Sequence, residues 1–218
     1  MRKTGILLSI IILFFQLLGA QDPARFQTEI DSLKQLVLDN RPDTKIILFT
    51  GSSSMRMWSD VQEYFPDKTI VNTGFGGSHM SDLLYYLDDI VIKYQPDQIF
   101  IYEGDNDIAS GKKPAVIMKD TRKLAHRLNK ALPSVPIVLI SPKPSLARWE
   151  LREAYTKLNG RFEKYANRNE KIDFINVWPV MLNEEGTPVK ELFIEDGLHM
   201  SKAGYDLWAN EIKKYILH

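Results

Sequence analysis

The sequence predicts an α/β fold in which helices cover both faces of a mainly parallel sheet. Short apolar runs of strand length alternate with longer segments of helical period along the 218 residues. The strand-like runs are continuously hydrophobic rather than alternating, as in strands that are buried on both faces. Regular alternation of strands and helices implies right-handed crossovers, which make the sheet parallel.

Five segments are predicted to be strands and five to be helices, and prolines mark several of the joins between them. The predicted strands are 45–50 (KIILFT), 69–72 (TIVN), 98–103 (QIFIYE), 137–141 (IVLIS) and 172–177 (IDFINV). The predicted helices are 24–40, 78–94, 114–132, 148–167 and 201–217.

The N-terminus has the pattern of a removable signal. Arg2 and Lys3 precede the apolar run 6–18, and Gly19-Ala20 supplies small residues for cleavage. The run is shorter than the roughly 20 residues that span a bilayer. We therefore predict a signal peptide at 1–20 and one domain at 21–218, exported to a bacterial periplasm or medium. An uncleaved N-terminal anchor is the alternative.

Composition limits the partners. The chain has no cysteine, which excludes disulfides and a lipidated cysteine. It has 28 basic and 28 acidic residues, and removal of the two basic residues at the N-terminus leaves a net charge of −2. This balance gives no electrostatic footprint for nucleic acid or anionic lipid, so we predict no nucleic-acid partner. We also predict no stable membrane insertion after signal removal. The oligomeric state is open.

In parallel sheets, ligands bind beyond the carboxyl ends of the strands, so the loops there are where chemistry is expected. The first three predicted strands are followed by GSSS (51–54), TGFGGSH (73–79) and GDND (104–107). EDGLH (195–199) precedes the last helix. Each segment alone has an ordinary explanation, as a helix cap or a tight turn, but together they supply small and polar groups where a site is expected.

His199 is the histidine with the clearest chemical context. Asp196 stands three residues before it on a glycine-containing turn, where a carboxylate can orient an imidazole and stabilise its charged form. A serine hydroxyl needs such a base to become a nucleophile. Backbone N–H groups of Gly76-Gly77 and the amide of Asn106 are suitable donors for the oxyanion that serine attack creates.

These four blocks resemble those of the SGNH (GDSL-type) hydrolase family, which is named for its Ser, Gly, Asn and His. Here they read GSSSMRMW, NTGFGGS, GDND and DGLH. The chain is most similar to a subgroup with GSSS and a later K-P-S-x-x-R-W stretch, here 143–149. It is more distantly similar to the platelet-activating-factor acetylhydrolase catalytic subunits. The resemblance implies a three-layer α/β/α sandwich with a flavodoxin-like sheet of five parallel strands.

The resemblance also implies roles for individual residues. An ungapped match places Ser53 on the family's serine and Ser52 on its aspartate, whereas sliding by one would select Ser54. We predict Ser53 as nucleophile, with His199 and Asp196 completing a triad. The N–H groups of Ser53 and Gly77 and the Asn106 amide are then the predicted oxyanion hole.

Four other residues are predicted to contact substrate, although each also has a plain structural explanation. They are Arg56, His79, Arg148 and Trp149. The acidic residues Glu103, Asp105 and Asp107 surround Asn106 without a nearby histidine in sequence, so we predict no metal and no cofactor.

The predicted function is that of an exported serine esterase that removes short acyl groups, such as acetyl, from a carbohydrate or similar ester. A lysophospholipase or thioesterase of the same fold is one alternative. A non-catalytic carbohydrate-binding or scaffold protein on an inactive hydrolase fold is another.

Overall fold

The described part of the chain forms one five-stranded sheet between two layers of helices. The computed structural model describes residues 22–36 and 43–217. The strands lie in the order β2-β1-β3-β4-β5, and every neighbouring pair is parallel. Their bounds are β1 Ile46–Gly51, β2 Thr69–Gly74, β3 Gln98–Tyr102, β4 Ile137–Ile140 and β5 Ile172–Ile175. The predicted α/β sandwich with a flavodoxin-like sheet is confirmed.

The helices of the described residues differ widely in length. The α-helices are α1 Gln27–Lys34, α2 Ser53–Arg56, α3 Val61–Tyr64, α4 Met80–Tyr85, α5 Leu87–Ile90, α6 Asp105–Ala109, α7 Pro114–Ala131, α8 Arg152–Ala166 and α9 Lys202–Ile212. Short 3₁₀ helices are formed by Pro23–Phe26, Ile92–Tyr94, Trp149–Leu151, Pro179–Met181 and Lys190–Leu192.

The sheet separates two apolar cores. Along β1, Ile46 and Leu48 pack on one side with residues of α1, α4, α5, α7 and α8. Ile47 and Phe49 point to the other side, where they join residues of α3 and α9. Successive side chains of a strand face opposite sides, and all of these are buried. The continuous hydrophobic runs in the sequence therefore correspond to strands buried on both faces.

The predicted helix 78–94 is not one helix. It is divided into α4, α5 and the 3₁₀ turn Ile92–Tyr94. The β-branched residues Ile90, Val91 and Ile92 are stiff and unfavourable in a helix interior. Val91 leaves the helical region, with φ −127° and ψ −63°, and this bend accompanies the burial of both Ile90 and Val91.

The other helix predictions differ mainly at their ends. The segment predicted at 114–132 forms α7 almost as expected. The helix predicted from 24 to 40 ends at Lys34, and residues 37–42 lie outside the described residues. The predicted signal segment 1–20 also lies outside them. No helix within 22–36 and 43–217 is long and apolar enough to cross a membrane.

Candidate active site

Three of the predicted site segments begin side by side at the carboxyl edge of the sheet. In the pairing register, Gly51 lies opposite Gly74 of β2 and opposite Tyr102 of β3. The GSSS, GFGGS and GDND segments lie at or directly after these positions. The strand order reverses at β1 and β3, which is the position where sheets of this kind bind ligands. Segments distant in sequence therefore meet at one site.

Gly51 makes the turn from β1 into the first loop possible. Its φ is +129°, and a Cβ atom there would lie 2.0 Å from the carbonyl oxygen of Tyr102. That same oxygen accepts a hydrogen bond from the Ser52 N–H at 3.0 Å. Only glycine combines this backbone conformation with such a close approach. The chain can therefore start α2 immediately, at Ser53.

Ser53 presents its hydroxyl to the imidazole of His199. Its Oγ lies 2.9 Å from His199 Nε2, across 146 positions of sequence. Ser53 is half-buried, whereas Ser52 and Ser54 are each only 2% exposed. The carbonyl of Ser54 accepts a hydrogen bond from the Tyr205 hydroxyl at 2.9 Å. Of the three serines, the structure places Ser53 at the base.

Asp196 holds the other side of the same imidazole. Its Oδ2 lies 2.5 Å from His199 Nδ1, and its Oδ1 accepts from the backbone N–H groups of Leu198 and His199 at 2.8 and 2.9 Å. Burial raises the pKa of Asp196, but these hydrogen bonds outweigh it and lower the pKa to about 2. Asp196 is therefore ionised near neutral pH, as a carboxylate that orients an imidazole must be.

The three predicted oxyanion donors were located through their hydrogen bonds. The described hydrogen bonds assign no acceptor to the backbone N–H of Ser53 or of Gly77. Gly77 has φ +73°, and nothing lies within 4 Å of the place where a Cβ would be. The Asn106 amide donates one hydrogen to the Ser78 carbonyl at 3.0 Å and keeps a second. The predicted donors Ser53, Gly77 and Asn106 thus follow β1, β2 and β3, respectively.

The model of the GDSL-like lipase/acylhydrolase family matches residues 49–207 of the chain, a range that includes Ser53, Gly77, Asn106, Asp196 and His199. The chain belongs to this family. It is therefore an ester hydrolase, and the predicted family is confirmed. No curated protein is a significant match to the chain.

Several solved structures share the hydrolase fold. A protein from Streptococcus pneumonia, provisionally named platelet activating factor, is 26% identical with a TM-score of 0.77, over 88% of this chain and 92% of its own. A GDSL-like lipase from Bacteroides thetaiotaomicron VPI-5482 is 24% identical with a TM-score of 0.69, over 88% and 96%. A mutant acetyl-xylooligosaccharide esterase from Geobacillus Stearmophilus is 17% identical with a TM-score of 0.64, over 78% and 93%.

Next to Asn106, the hydrolase buries a group of charged residues whose contacts with one another were not predicted from the sequence. Asp105 is 4% exposed and accepts hydrogen bonds from the hydroxyls of Tyr102 and Tyr155, at 2.8 and 2.5 Å, and from Arg148. The ammonium of Lys143 lies 3.5 Å away. Burial raises the pKa of Asp105, but the two cations and two hydroxyls outweigh it and lower the pKa to about 2. The sequence feature that could have indicated this group is the K-P-S-x-x-R-W stretch, because it contains both Lys143 and Arg148.

A second acidic residue of the GDND region has the opposite character. Glu103 is 1% exposed and accepts from the Ser78 hydroxyl at 2.6 Å, but its second oxygen has no hydrogen-bond partner. Burial and the nearby charge of Asp107 raise the pKa of Glu103 well above its usual value. Its raised pKa favours the protonated form of Glu103, and its contact supports Ser78, whose carbonyl accepts a hydrogen bond from the Asn106 amide.

This raised pKa predicts a specific pH dependence of stability. In the unfolded chain a glutamate ionises above about pH 4.3, whereas folded Glu103 holds its proton to a higher pH because its pKa is raised. Between these two pKa values the folded state binds more protons, so Glu103 lowers stability as pH rises. Glu103→Gln removes this titration. We expect the melting temperature of the variant, relative to the wild type, to rise from pH 5 to pH 8.

Exposed Glu153 on α8 provides the control for this measurement. Glu153→Gln is expected to leave the wild-type pH profile of the melting temperature essentially unchanged. A constant difference between Glu103→Gln and the wild type at every pH would show that Glu103 does not titrate as described.

The four residues predicted to contact substrate have different environments. His79 is 2% exposed, and its Nδ1 lies 3.8 Å from Asp107. Its contact with substrate stays a prediction. Burial, together with the charge of Lys112, lowers the pKa of His79 to about 4. The guanidinium of Arg148 is occupied by Asp105 and Asn106.

Arg56 and Trp149 remain predictions for substrate contact. Arg56 lies 3.5 Å from Glu29, and half of its side chain is exposed. A Cβ at Gly76 would meet its guanidinium at 2.7 Å, so Arg56 borders the glycine loop. Trp149 is partly exposed and stacks on Trp178 with 6.0 Å between ring centroids.

Proposed function

We propose that the chain is a serine esterase that works by acyl transfer, with Ser53, His199 and Asp196 as its triad. The observation that carries the proposal is the 2.9 Å contact between Ser53 Oγ and His199 Nε2, with Asp196 on the opposite ring nitrogen. A hydroxyl so placed can lose its proton to the ring as it attacks a carbonyl.

In the first half of the reaction, Ser53 Oγ bonds to the ester carbonyl carbon and its proton passes to His199 Nε2. Asp196 stabilises the resulting imidazolium. The N–H groups of Ser53 and Gly77 and the Asn106 amide receive the oxyanion. The tetrahedral intermediate then expels the alcohol, which takes the proton from His199. In the second half, His199 deprotonates water, which attacks the acyl-enzyme and releases the acid and Ser53.

We further propose that the substrate carries a short acyl group, such as acetyl, on a carbohydrate. The described residues contain few exposed apolar side chains next to the catalytic turn. Leu146 and Ile194, which are 41% and 43% exposed, are two of them. A long acyl chain needs a larger apolar pocket. The fold likeness to the Geobacillus acetyl-xylooligosaccharide esterase is compatible with this substrate class.

A substrate comparison tests this proposal. We expect the purified protein to cleave p-nitrophenyl acetate faster than the octanoate ester, and acetylated xylan or sugars faster than a lysophospholipid. The opposite order would favour a lysophospholipase. Absence of ester cleavage, together with failure of a fluorophosphonate probe to label Ser53, would favour a non-catalytic binding protein.

Export is also a proposal, and the N-terminal sequence pattern supports it. Expression of the full chain in a bacterial host, followed by N-terminal sequencing of the protein outside the cytoplasm, should find chains that begin at residue 21. An intact N-terminus in the membrane fraction would favour an uncleaved anchor instead.

A further inference from the structure

The side-chain amide of Asn106 is held in one orientation by its neighbours. Its Oδ1 lies 3.2 Å from both Nη1 and Nη2 of Arg148, and its Nδ2 donates to the Ser78 carbonyl at 3.0 Å. A guanidinium can only donate hydrogen bonds and a carbonyl can only accept them. If the amide were flipped, its NH₂ group would face the N–H groups of Arg148 and its oxygen would face the Ser78 carbonyl oxygen, and both contacts would be repulsive. The second N–H of Nδ2 remains available for another acceptor.

Arg148 is itself held in place by a buried carboxylate. Its Nη1 also donates to Asp105, which is buried and ionised. The hydroxyls of Tyr102 and Tyr155 bind the same carboxylate. The ammonium of Lys143, whose side chain has no exposed surface, also lies 3.5 Å from the Asp105 carboxylate. Because the planar guanidinium of Arg148 binds Asp105 and Asn106 at the same time, it has little freedom to rotate. The single ammonium of a lysine could not present the same fixed set of donors.

The segment that carries Arg148 also contacts the turn of the catalytic base. The Ala147 N–H donates to the Gly197 carbonyl at 3.0 Å. Gly197 has φ +63°, and a Cβ there would lie 3.1 Å from Leu146 Cβ. Residues 143–149 thus contact both Asn106 and the turn between Asp196 and His199. These residues form the K-P-S-x-x-R-W stretch, and no step of the proposed acyl transfer uses any of them.

We propose that Arg148 is a positioning residue of the oxyanion hole, which acts through Asn106. Two charge-assisted hydrogen bonds to Oδ1 hold the free N–H of Nδ2 toward the oxyanion. They also polarise the amide, which strengthens it as a donor while negative charge develops on the substrate. The inference rests on the proposed esterase function, and it assigns the K-P-S-x-x-R-W stretch to transition-state stabilisation rather than to substrate contact.

A double-mutant cycle with Asn106→Ala tests the inference. Loss of an oxyanion donor lowers kcat by about a hundred- to a thousandfold, so loss of its orientation in Arg148→Met should lower kcat by about ten- to a hundredfold. We expect KM for p-nitrophenyl acetate to change less than about threefold, since the interaction matters only in the transition state. In the Asn106→Ala background, Arg148→Met should cause little further loss, because the two residues act as one unit.

Arg148→Lys and Arg152→Met complete the design. Lysine keeps a charge for Asp105 but cannot donate from both edges, so kcat should still fall. If Arg148→Met does not fold, the Lys variant takes its place in the cycle. Arg152 lies four positions after Arg148 and stacks on Trp149, with its Cζ 5.5 Å from the ring centroid. Arg152→Met should retain wild-type kcat.

Three results would overturn the inference. One is wild-type kcat in both Arg148 variants, and another is an equal loss from the Arg148 change in both backgrounds. The third is failure of both variants to fold, since Arg148 would then be needed for stability. An inactive wild type that fluorophosphonate does not label would overturn the esterase proposal as well, so the two failures are distinguishable.

Discussion

Ser53→Ala is expected to lower kcat/KM for p-nitrophenyl acetate by at least about 10⁴-fold, and toward the roughly 10⁶-fold loss seen when a triad serine is removed. The methyl group of alanine cannot form the acyl-enzyme, while the oxyanion donors and the imidazole remain. The small residual rate would come from those groups acting on water. The measurement is steady-state hydrolysis, with fluorophosphonate labelling of the intact protein as a second readout.

The neighbouring serine is the matched control. Ser54 is 2% exposed, and the described contacts include no hydrogen bond between its hydroxyl and His199. Ser54→Ala should remain labelled by fluorophosphonate and hydrolyse the ester at a rate comparable to that of the wild type. Loss of activity and labelling in Ser54→Ala, but not in Ser53→Ala, would assign the nucleophile to Ser54 and shift the alignment by one position.

Asp196→Asn is expected to cause the second large loss, through the tautomer of His199. The Asp196 Oδ1 position accepts from two backbone N–H groups, so the asparagine oxygen should stay there. The new amide nitrogen would then face His199 Nδ1 and donate to it. The ring proton would move to Nε2, which could no longer accept the proton of Ser53.

The size of this loss depends on the exposure of the pair. The tautomer effect lowers kcat by about 10⁴-fold in serine-protease triads with a buried aspartate. The Asp196 side chain is 42% exposed, so solvent can partly replace its role. We therefore expect a loss of about 10³-fold in kcat. Asp173→Asn, at an exposed position of β5, should leave kcat unchanged. A loss of less than tenfold in Asp196→Asn would show that His199 does not depend on this carboxylate.

Much of the architecture could be predicted because its causes are local. The five apolar runs became the five strands, since continuous β-branched and aromatic residues suit strands buried on both faces. Helix α7 begins at Pro114, which is favourable in the first turn of a helix. The segment 78–94 was not predicted correctly, because its apolar spacing suits one helix, whereas the stiff residues 90–92 and their burial bend the chain at Val91.

The candidate site could be predicted in part. Ser53, Asp196 and His199 stand in short motifs, and the rule for parallel sheets places their loops at one edge. Glu103 and Asp105 lie two positions apart in nearly the same sequence context, yet the pKa of Glu103 is raised and that of Asp105 is lowered. Nothing in the motif distinguishes them, because the difference arises from Lys143 and Arg148, about 40 positions later in the chain.

The sequence by itself determined the fold class, the family and the short motifs that carry the predicted triad, because periodicity and short motifs act over neighbouring residues. Only the tertiary structure decided which serine faces His199, that His79 is buried, and that Arg148 binds both Asp105 and Asn106. Those outcomes depend on distances and solvation between residues far apart in the chain, and these exist only after the sheet has brought its strand ends together.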